Sequence, residues 1–523
     1  MTQGARSWGL RLGALAAGLA AGLAHPPFGI LPGVLAYGLI MRLTETEGPR
    51  PLRSAFFRGW LSGLGYFAIS VFWVTEAFLV DAATYGWMAP FALVFLAGGL
   101  ALFWGVAGLV WRWLATRGVW RVLVFAGVLG GVEWLRGHVL TGFPWNLPGE
   151  TWRAGTPMSQ SAALFGAYGL TWTTIALGAA PAVVFDKASL RARGAVVVAA
   201  ALVLAGLWGF GAARLSGAPA TAADAPLLRI VQADIDQKDK WKPENLDLVF
   251  STYERLTRQP AAHAPQVVIW PEGALPAVID EMLAPGSPYL ARTRDMLRPG
   301  QTLMLGVNRV DVDRAGRYRY FNSLLALRRD EAGLVVSGIY DKHRLVPFGE
   351  FMPLGDFAQK IGFRSLVHMP DDFTAGPPPR PITPIGLAPV QPLICYEALF
   401  PGLASAATRA GDPRPAWLLN VSNDAWFGPT SGPLQHLNIA GYRAIEEGLP
   451  MVRSTPTGVS AVIDAYGRIA PGEMLAGGAE GVIDARLPPA AGTTPYARYG
   501  EALFAFLIVV SGATAALSRV RRG

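Results

Sequence analysis

The chain has one cysteine in 523 residues, and that scarcity excludes an internal disulfide. A solitary thiol in an oxidising compartment must be buried or used. Histidine is also scarce: the six, at His25, His138, His263, His343, His368 and His436, include no pair at ligand spacing and have no further cysteines to join them. A structural or catalytic zinc site is not expected, and nothing in the sequence calls for a cofactor. Charged residues make up 16% of the chain against 52% hydrophobic, a balance that argues against a wholly soluble protein of this length. The net charge of +8 arises from short basic clusters between apolar runs, with no long Lys-rich stripe. Membrane topology explains such clusters better than nucleic acid does, so no nucleic-acid partner is expected. There is no internal repeat, no low-complexity tract and no nucleotide-binding glycine fingerprint.

What is present is a series of apolar runs long enough to cross a bilayer. Seven precede residue 214, at roughly 8–24, 28–43, 57–80, 88–111, 121–138, 158–185 and 194–213, and an eighth lies at roughly 501–517. Basic residues fall on alternate connections: Arg6 and Arg11; Arg42, Arg50, Arg53 and Arg58; Arg112, Arg117 and Arg121; Lys187, Arg191 and Arg193; Arg519, Arg521 and Arg522. These mark the cytoplasmic side. The opposite connections, at 25–27, 81–86 and 136–157, carry basic residues only in the last, at Arg136 and Arg153. Both termini are then expected in the cytoplasm and residues 214–498 outside it. A second reading of the first run stays open, because Arg6 and Arg11 also suit the basic start of a secretory leader and Gly22-Leu23-Ala24 has the small-x-small spacing of a cleavage site.

Residues 214–498 alternate short β-type runs with turn signals and helical stretches. The runs include 227–231, 266–270, 302–306, 323–327, 392–394 and 417–421. Near-continuous apolar strands suit sheets buried on both faces, so an α/β sandwich of about 285 residues is expected. The predicted organisation is a transmembrane region of about seven helices at 1–213, a catalytic domain at 214–498, and a final span with a basic cytoplasmic tail at 499–523.

Three segments place a reactive side chain directly after an expected strand, where loops at a sheet edge build sites. They are Trp270-Pro271-Glu272-Gly273, Tyr340-Asp341-Lys342-His343-Arg344-Leu345-Val346-Pro347-Phe348-Gly349-Glu350, and Ile394-Cys395-Tyr396-Glu397. Taken one at a time, each has an ordinary explanation: a small buried hydrophobe for the cysteine, a turn residue for the glutamate, a solvated cluster for the lysine.

Together and in this order, the three segments resemble the carbon–nitrogen hydrolase (nitrilase) superfamily. With the flanking spans, Glu133-Trp134-Leu135-Arg136-Gly137 and Thr141-Gly142-Phe143-Pro144-Trp145, the chain resembles the apolipoprotein N-acyltransferase family over nearly its whole length. Val231-Gln232-Ala233-Asp234-Ile235 and Val421-Ser422-Asn423-Asp424-Ala425-Trp426-Phe427-Gly428 fit the same family. The resemblance implies a polytopic helical membrane bundle of about eight spans carrying an extracytoplasmic α-β-β-α sandwich with a Glu272-Lys342-Cys395 triad. It implies a multi-pass protein of the bacterial inner membrane whose catalytic domain is periplasmic. The implied reaction has two steps. A phospholipid, phosphatidylethanolamine in the family's pattern, donates an acyl chain to Cys395, and the α-amino group of a diacylglyceryl-modified N-terminal cysteine on an apolipoprotein then takes it.

The residue types suit that chemistry. A thiol needs a base, which a carboxylate in a low-dielectric pocket such as Glu272 supplies. The oxyanion needs fixed donors, which Lys342 and the amide of Tyr396 supply. The resemblance further implies that Glu350 buttresses Lys342, that Glu397 shapes the acceptor side, and that Asn322 and Trp241 lie near the site. Aromatics such as Trp241 and Tyr396 would suit a lipid chain there, though a core role fits them as well. Arg136 sits beside Trp134 and Trp145 on an outward connection, where it could meet a phosphate headgroup, although interfacial anchoring explains it nearly as well. Two other classes remain: a membrane-tethered amidase or nitrilase that shares the triad but uses water, and a transporter or lipid-binding protein without catalysis.

Overall fold

Each of the eight apolar runs carries a helix in the computed structural model, which describes residues 3–45, 50–114, 116–353, 355 and 371–520. His368, Arg521 and Arg522 lie outside the described residues. Among the described residues three helical stretches are long and apolar enough to cross a membrane: Ala82–Leu114, Met158–Phe185 and Leu190–Ser216. The apolar helix Ala502–Ser518 is shorter. Arg121–His138, by contrast, contains Arg121, Glu133 and Arg136 within 18 residues.

The described chain divides into two compact units. The helical unit comprises Met1–Ala218, Thr430–Glu446 and Thr493–Gly523. Its helices approach closely through small residues: a Cβ on Gly59 in Pro51–Ser70 would lie 2.3 Å from the carbonyl oxygen of Trp104 in Ala89–Leu114. Glu133 and Arg136 form a fully buried ion pair, and the Trp104 indole donates to Glu133 Oε1 at 2.9 Å. The helix Gly432–Glu447 pins the connection around residues 145–154 of this unit. The Tyr442 hydroxyl donates to the Gly149 carbonyl at 3.0 Å, Asn438 Nδ2 donates to the Glu150 carbonyl at 2.9 Å, and the Trp145 indole donates to Gln435 Oε1 at 3.0 Å.

The second unit comprises Pro219–Pro429 and Glu447–Gly492. It holds two sheets. The first contains β1 (Leu227–Gln232), β2 (Val267–Trp270), β3 (Thr302–Val312), β4 (Tyr318–Arg329), β5 (Leu334–Asp341) and β11 (Gly481–Arg486), in the order β11-β1-β2-β3-β4-β5. The second contains β6 (Val390–Ile394), β7 (Trp417–Val421), β8 (Met451–Ser454), β9 (Ser460–Ile463) and β10 (Ile469–Leu475), in the order β10-β9-β8-β7-β6. Strands β1, β2 and β3 run parallel, as do β6, β7 and β8, while the remaining neighbours pair antiparallel.

The period of two explains the apolar runs. In β2, Val267 and Ile269 face a core shared with Val390, Ile394, Leu419 and Val452 of the second sheet, whereas Val268 and Trp270 face a core with Val249, Phe250 and Tyr253. The latter three lie on the helix Leu246–Thr257, so the first sheet is buried on both faces. Two facing sheets with helices outside the first form a layered α/β sandwich. This packing holds the carboxyl ends of β2, β5 and β6 fixed, and each ends at a residue singled out in the sequence.

Candidate active site

Glu272 leaves β2 after Pro271 and is 7% exposed. The turn is pressed against β3: a Cβ on Gly306 would lie 2.5 Å from Glu272 Cα and 2.6 Å from the Pro271 carbonyl oxygen. Only glycine fits at 306, and the Ala274 amide donates to its carbonyl at 3.0 Å. Lys342 follows β5, is 1% exposed, and is held by its amide donating to the Asn322 carbonyl at 2.9 Å.

The Lys342 ammonium donates to Glu272 Oε1 at 3.1 Å and to Glu350 Oε1 at 2.8 Å. Asn322 Nδ2 donates to the same two oxygens, at 2.6 and 2.8 Å. Two buried carboxylates are thus held apart by one cation and one amide, which offsets the desolvation that each would suffer alone. The Asn322 Oδ1 has no partner among the described residues, because the amide must present nitrogen to both carboxylates. Glu350 also accepts from the Val346 amide at 2.8 Å, which fixes the loop from Lys342 onward. Burial alone would lower the Lys342 pKa, but Glu272, Glu350 and Cys395 outweigh it and hold the ammonium above the usual lysine range.

Cys395 begins the turn after β6 with φ +46°, in the left-handed region that non-glycine residues rarely adopt. The strained turn lifts the half-buried thiol out of the strand. Burial first, then the negative charge of Glu272, push the thiol pKa up to about 12, against the opposing pull of Lys342 and a hydrogen bond with Ser422. Cys395 is therefore in electrostatic contact with both partners and protonated at neutral pH.

Glu397 is 0% exposed and ties two loops together. It accepts from the Ile394 amide at 2.8 Å on the Cys395 side, and from the His343 amide at 2.8 Å and the Tyr340 hydroxyl at 2.9 Å on the Lys342 side. Its oxygens are engaged by the protein itself, so its geometry is that of a brace, where the sequence suggested a residue shaping the acceptor side. Tyr396 is buried, with its ring 5.1 Å from that of Phe400.

Trp241 is half-buried beside Lys240, whose ammonium lies 5.6 Å from the centre of the indole. Arg136 lies in the helical unit. It is 1% exposed, with its guanidinium donating to Glu133 Oε1 at 3.0 Å and to the Trp145 carbonyl at 3.1 Å. All three guanidinium nitrogens donate within the helical unit, to Glu133, Phe143 and Trp145.

The sequence did not single out Arg453 or Lys240. Arg453 of β8 is 0% exposed and donates to both oxygens of Asp424 at 2.8 and 2.7 Å, while Ser422 Oγ donates to Asp424 Oδ1 at 2.9 Å. An arginine inside the apolar run Met451-Val452-Arg453 was the available signal. Among the described residues no cluster of metal-ligating side chains occurs.

A carboxylate, an ammonium and a thiol converging at the carboxyl ends of three strands of a two-sheet α/β unit define a carbon–nitrogen hydrolase-type domain. Residues 227–496 match the family model of carbon–nitrogen hydrolases, and residues 17–180 match that of the apolipoprotein N-acyltransferase N-terminal domain. An apolipoprotein N-acyltransferase of Caulobacter vibrioides is 54% identical, with 98% of this chain and 96% of that one covered. One from Rhodopseudomonas palustris is 38% identical over 96% of this chain and 94% of that one, and one from Bradyrhizobium diazoefficiens is 37% identical over 98% and 96%. The chain belongs to the apolipoprotein N-acyltransferase family.

Proposed function

We propose that the protein transfers a fatty acyl chain from a phospholipid, through a thioester on Cys395, to the α-amino group of the diacylglyceryl-modified N-terminal cysteine of apolipoproteins. The observation that carries the reading is the buried cluster of Glu272, Lys342, Asn322 and Glu350, of which Glu272 and Lys342 act electrostatically on the Cys395 thiol.

In the first half, Glu272 takes the thiol proton as sulfur attacks the ester carbonyl carbon. Negative charge moves to the carbonyl oxygen, where the Lys342 ammonium and the Tyr396 amide receive it. The intermediate collapses by breaking the ester C–O bond, and the departing lysophospholipid oxygen takes the proton from Glu272. In the second half the amine attacks the thioester, Glu272 takes a proton from nitrogen, and the C–S bond breaks to return thiolate and then thiol. Glu272 is thus base and acid in turn. Glu350 and Asn322 keep Lys342 charged and aimed, and Glu397 holds the two loops at a fixed separation.

We place the catalytic unit on the periplasmic side of the inner membrane, with about eight spans and phosphatidylethanolamine as donor. The alternating basic clusters support the orientation, and an outer-leaflet donor requires it. The domain limits that go with this reading are 1–213, 214–498 and 499–523.

Intact mass measurement after incubation with phosphatidylethanolamine tests the first half. An acyl adduct on the wild type that a diacylated lipopeptide with a free amino terminus removes is the expected result. Free fatty acid as the sole product would instead indicate a tethered hydrolase, and no adduct would overturn the covalent route.

A further inference from the structure

A second buried lysine reaches the candidate site from the segment after β1. Lys240 closes the short helix Gln237–Lys240 and is 2% exposed. Its ammonium donates to the carbonyl of Gly273, the residue after Glu272, and the Trp241 ring lies alongside at 5.6 Å. Gly273 has φ +52°, so the chain turns sharply there and its carbonyl is what the lysine grips. The acidic neighbours on its own segment are turned to other partners: Asp236 accepts from the Lys238 amide at 2.8 Å, and Asp239 pairs with Lys242 at 2.5 Å. The charged group that acts on Lys240 is Glu272. Burying an ammonium is costly unless its charge is used.

We propose that Lys240 is a positioning residue for Glu272, gripping its loop through the Gly273 carbonyl and setting a second positive charge beside the carboxylate. The inference rests on Glu272 being the base of the reaction. Lys342 and Glu350 face Glu272 from the β5 side and Cys395 from the β6 side, so Lys240 supplies the cation on the side of the β1 segment. Burial lowers the Lys240 pKa to about 8, against the opposing effect of Glu272. This second charge is therefore present below that pH and lost above it, and the rate of acylation should change as it is lost.

The test measures thioester formation alone, on the full-length protein in lipid-doped micelles without acceptor, across pH 5 to 10. Wild type is expected to show an inflection in rate near pH 8. Lys240→Arg keeps a permanent charge, so it should hold the rate seen below that inflection across the range. Lys240→Gln keeps a hydrogen-bond donor without charge and should lose the inflection too, holding the rate seen above it. Lys240→Met loses both and should lower the rate about a hundred-fold through the displaced loop. A Lys240→Gln profile that keeps the inflection near pH 8 would overturn the proposal, whatever its rate, because the inflection would then belong to another group. Glu272→Gln is run in parallel: if it acylates normally, the assignment of Glu272 fails instead. If Lys240→Met does not fold, the Arg and Gln profiles still decide.

Discussion

At Cys395 a left-handed backbone and a raised thiol pKa act on the same residue. The turn holds sulfur in place at a cost of about 1–3 kcal/mol that the surrounding sheet must cover. The pKa of about 12 means that the resting nucleophile is a thiol beside a carboxylate, so thiolate forms only as the acyl donor is attacked. Alkylation by iodoacetamide should accordingly be slow at pH 7 and rise about tenfold per pH unit up to pH 10. A rate already at plateau near pH 7 would point to a preformed thiolate. Cys395→Ala should give no acyl adduct, and Glu272→Gln and Lys342→Ala should each lower thioester formation by about a hundred-fold or more. Because the groups act as one unit, the double variant should be little worse than either single one in the same mass assay. These side chains were legible because each sits in a short motif directly after a strand. Lys240 was not, because Gln237-Lys238-Asp239-Lys240 reads as a solvated turn and only the fold turns its last residue inward. Arg136 reads as an interfacial cation, and the carboxylate of Glu133 on the preceding turn of its own helix draws it inside.

The strands supply rigidity, and two features couple them to the chemistry. Gly306 lets β3 run against the backbone of Glu272, so Gly306→Ala should displace that loop. The expected result is a loss of about a hundred-fold in thioester formation with a lowered melting temperature, read by the mass assay and by thermal unfolding. Glu397 accepts amide hydrogens from both the β5 and the β6 ends. Glu397→Gln would turn an NH2 group toward one of those donors, which should destabilise the unit by about 1–3 kcal/mol and slow acylation although the residue carries no proton in the reaction. Wild-type melting and rate in that variant would show the brace to be dispensable. The apolar cores of β1, β2 and β7 were legible from composition. The outer half of β3, Asn308-Arg309-Val310-Asp311, was not, because it runs past the end of β2 and its burial falls away from Asn308 to the exposed Asp311. Strands β8 to β11 are short, and charged residues such as Arg453, Glu473 and Asp484 break their apolar pattern; Arg453 and Asp484 are held in ion pairs that no local pattern announces.

At the scale of the molecule, two problems are divided between two units. The α/β unit builds a water-poor site from rigid strand ends, and the helical unit pairs buried charges with one another, as Glu133 with Arg136 and Arg443 with Glu446 illustrate. The helix Gly432–Glu447 lies in sequence between β7 and β8 yet belongs almost wholly to the helical unit. That division was illegible in the sequence, because the helix carries no long apolar run and its partners, Gly149, Glu150 and Trp145, are about 290 residues away. The proposed orientation rests on the Arg and Lys clusters that recur on alternate connections, because charge retention on the cytoplasmic side is a local rule. Reporter fusions follow from it. A fusion near residue 300 should be active with alkaline phosphatase and dark with a cytoplasm-dependent fluorescent protein, and a fusion after residue 187 should show the reverse. Fluorescence at residue 300 would put Cys395 on the cytoplasmic side, away from outer-leaflet phospholipid, and the donor proposed here would have to be sought in the inner leaflet.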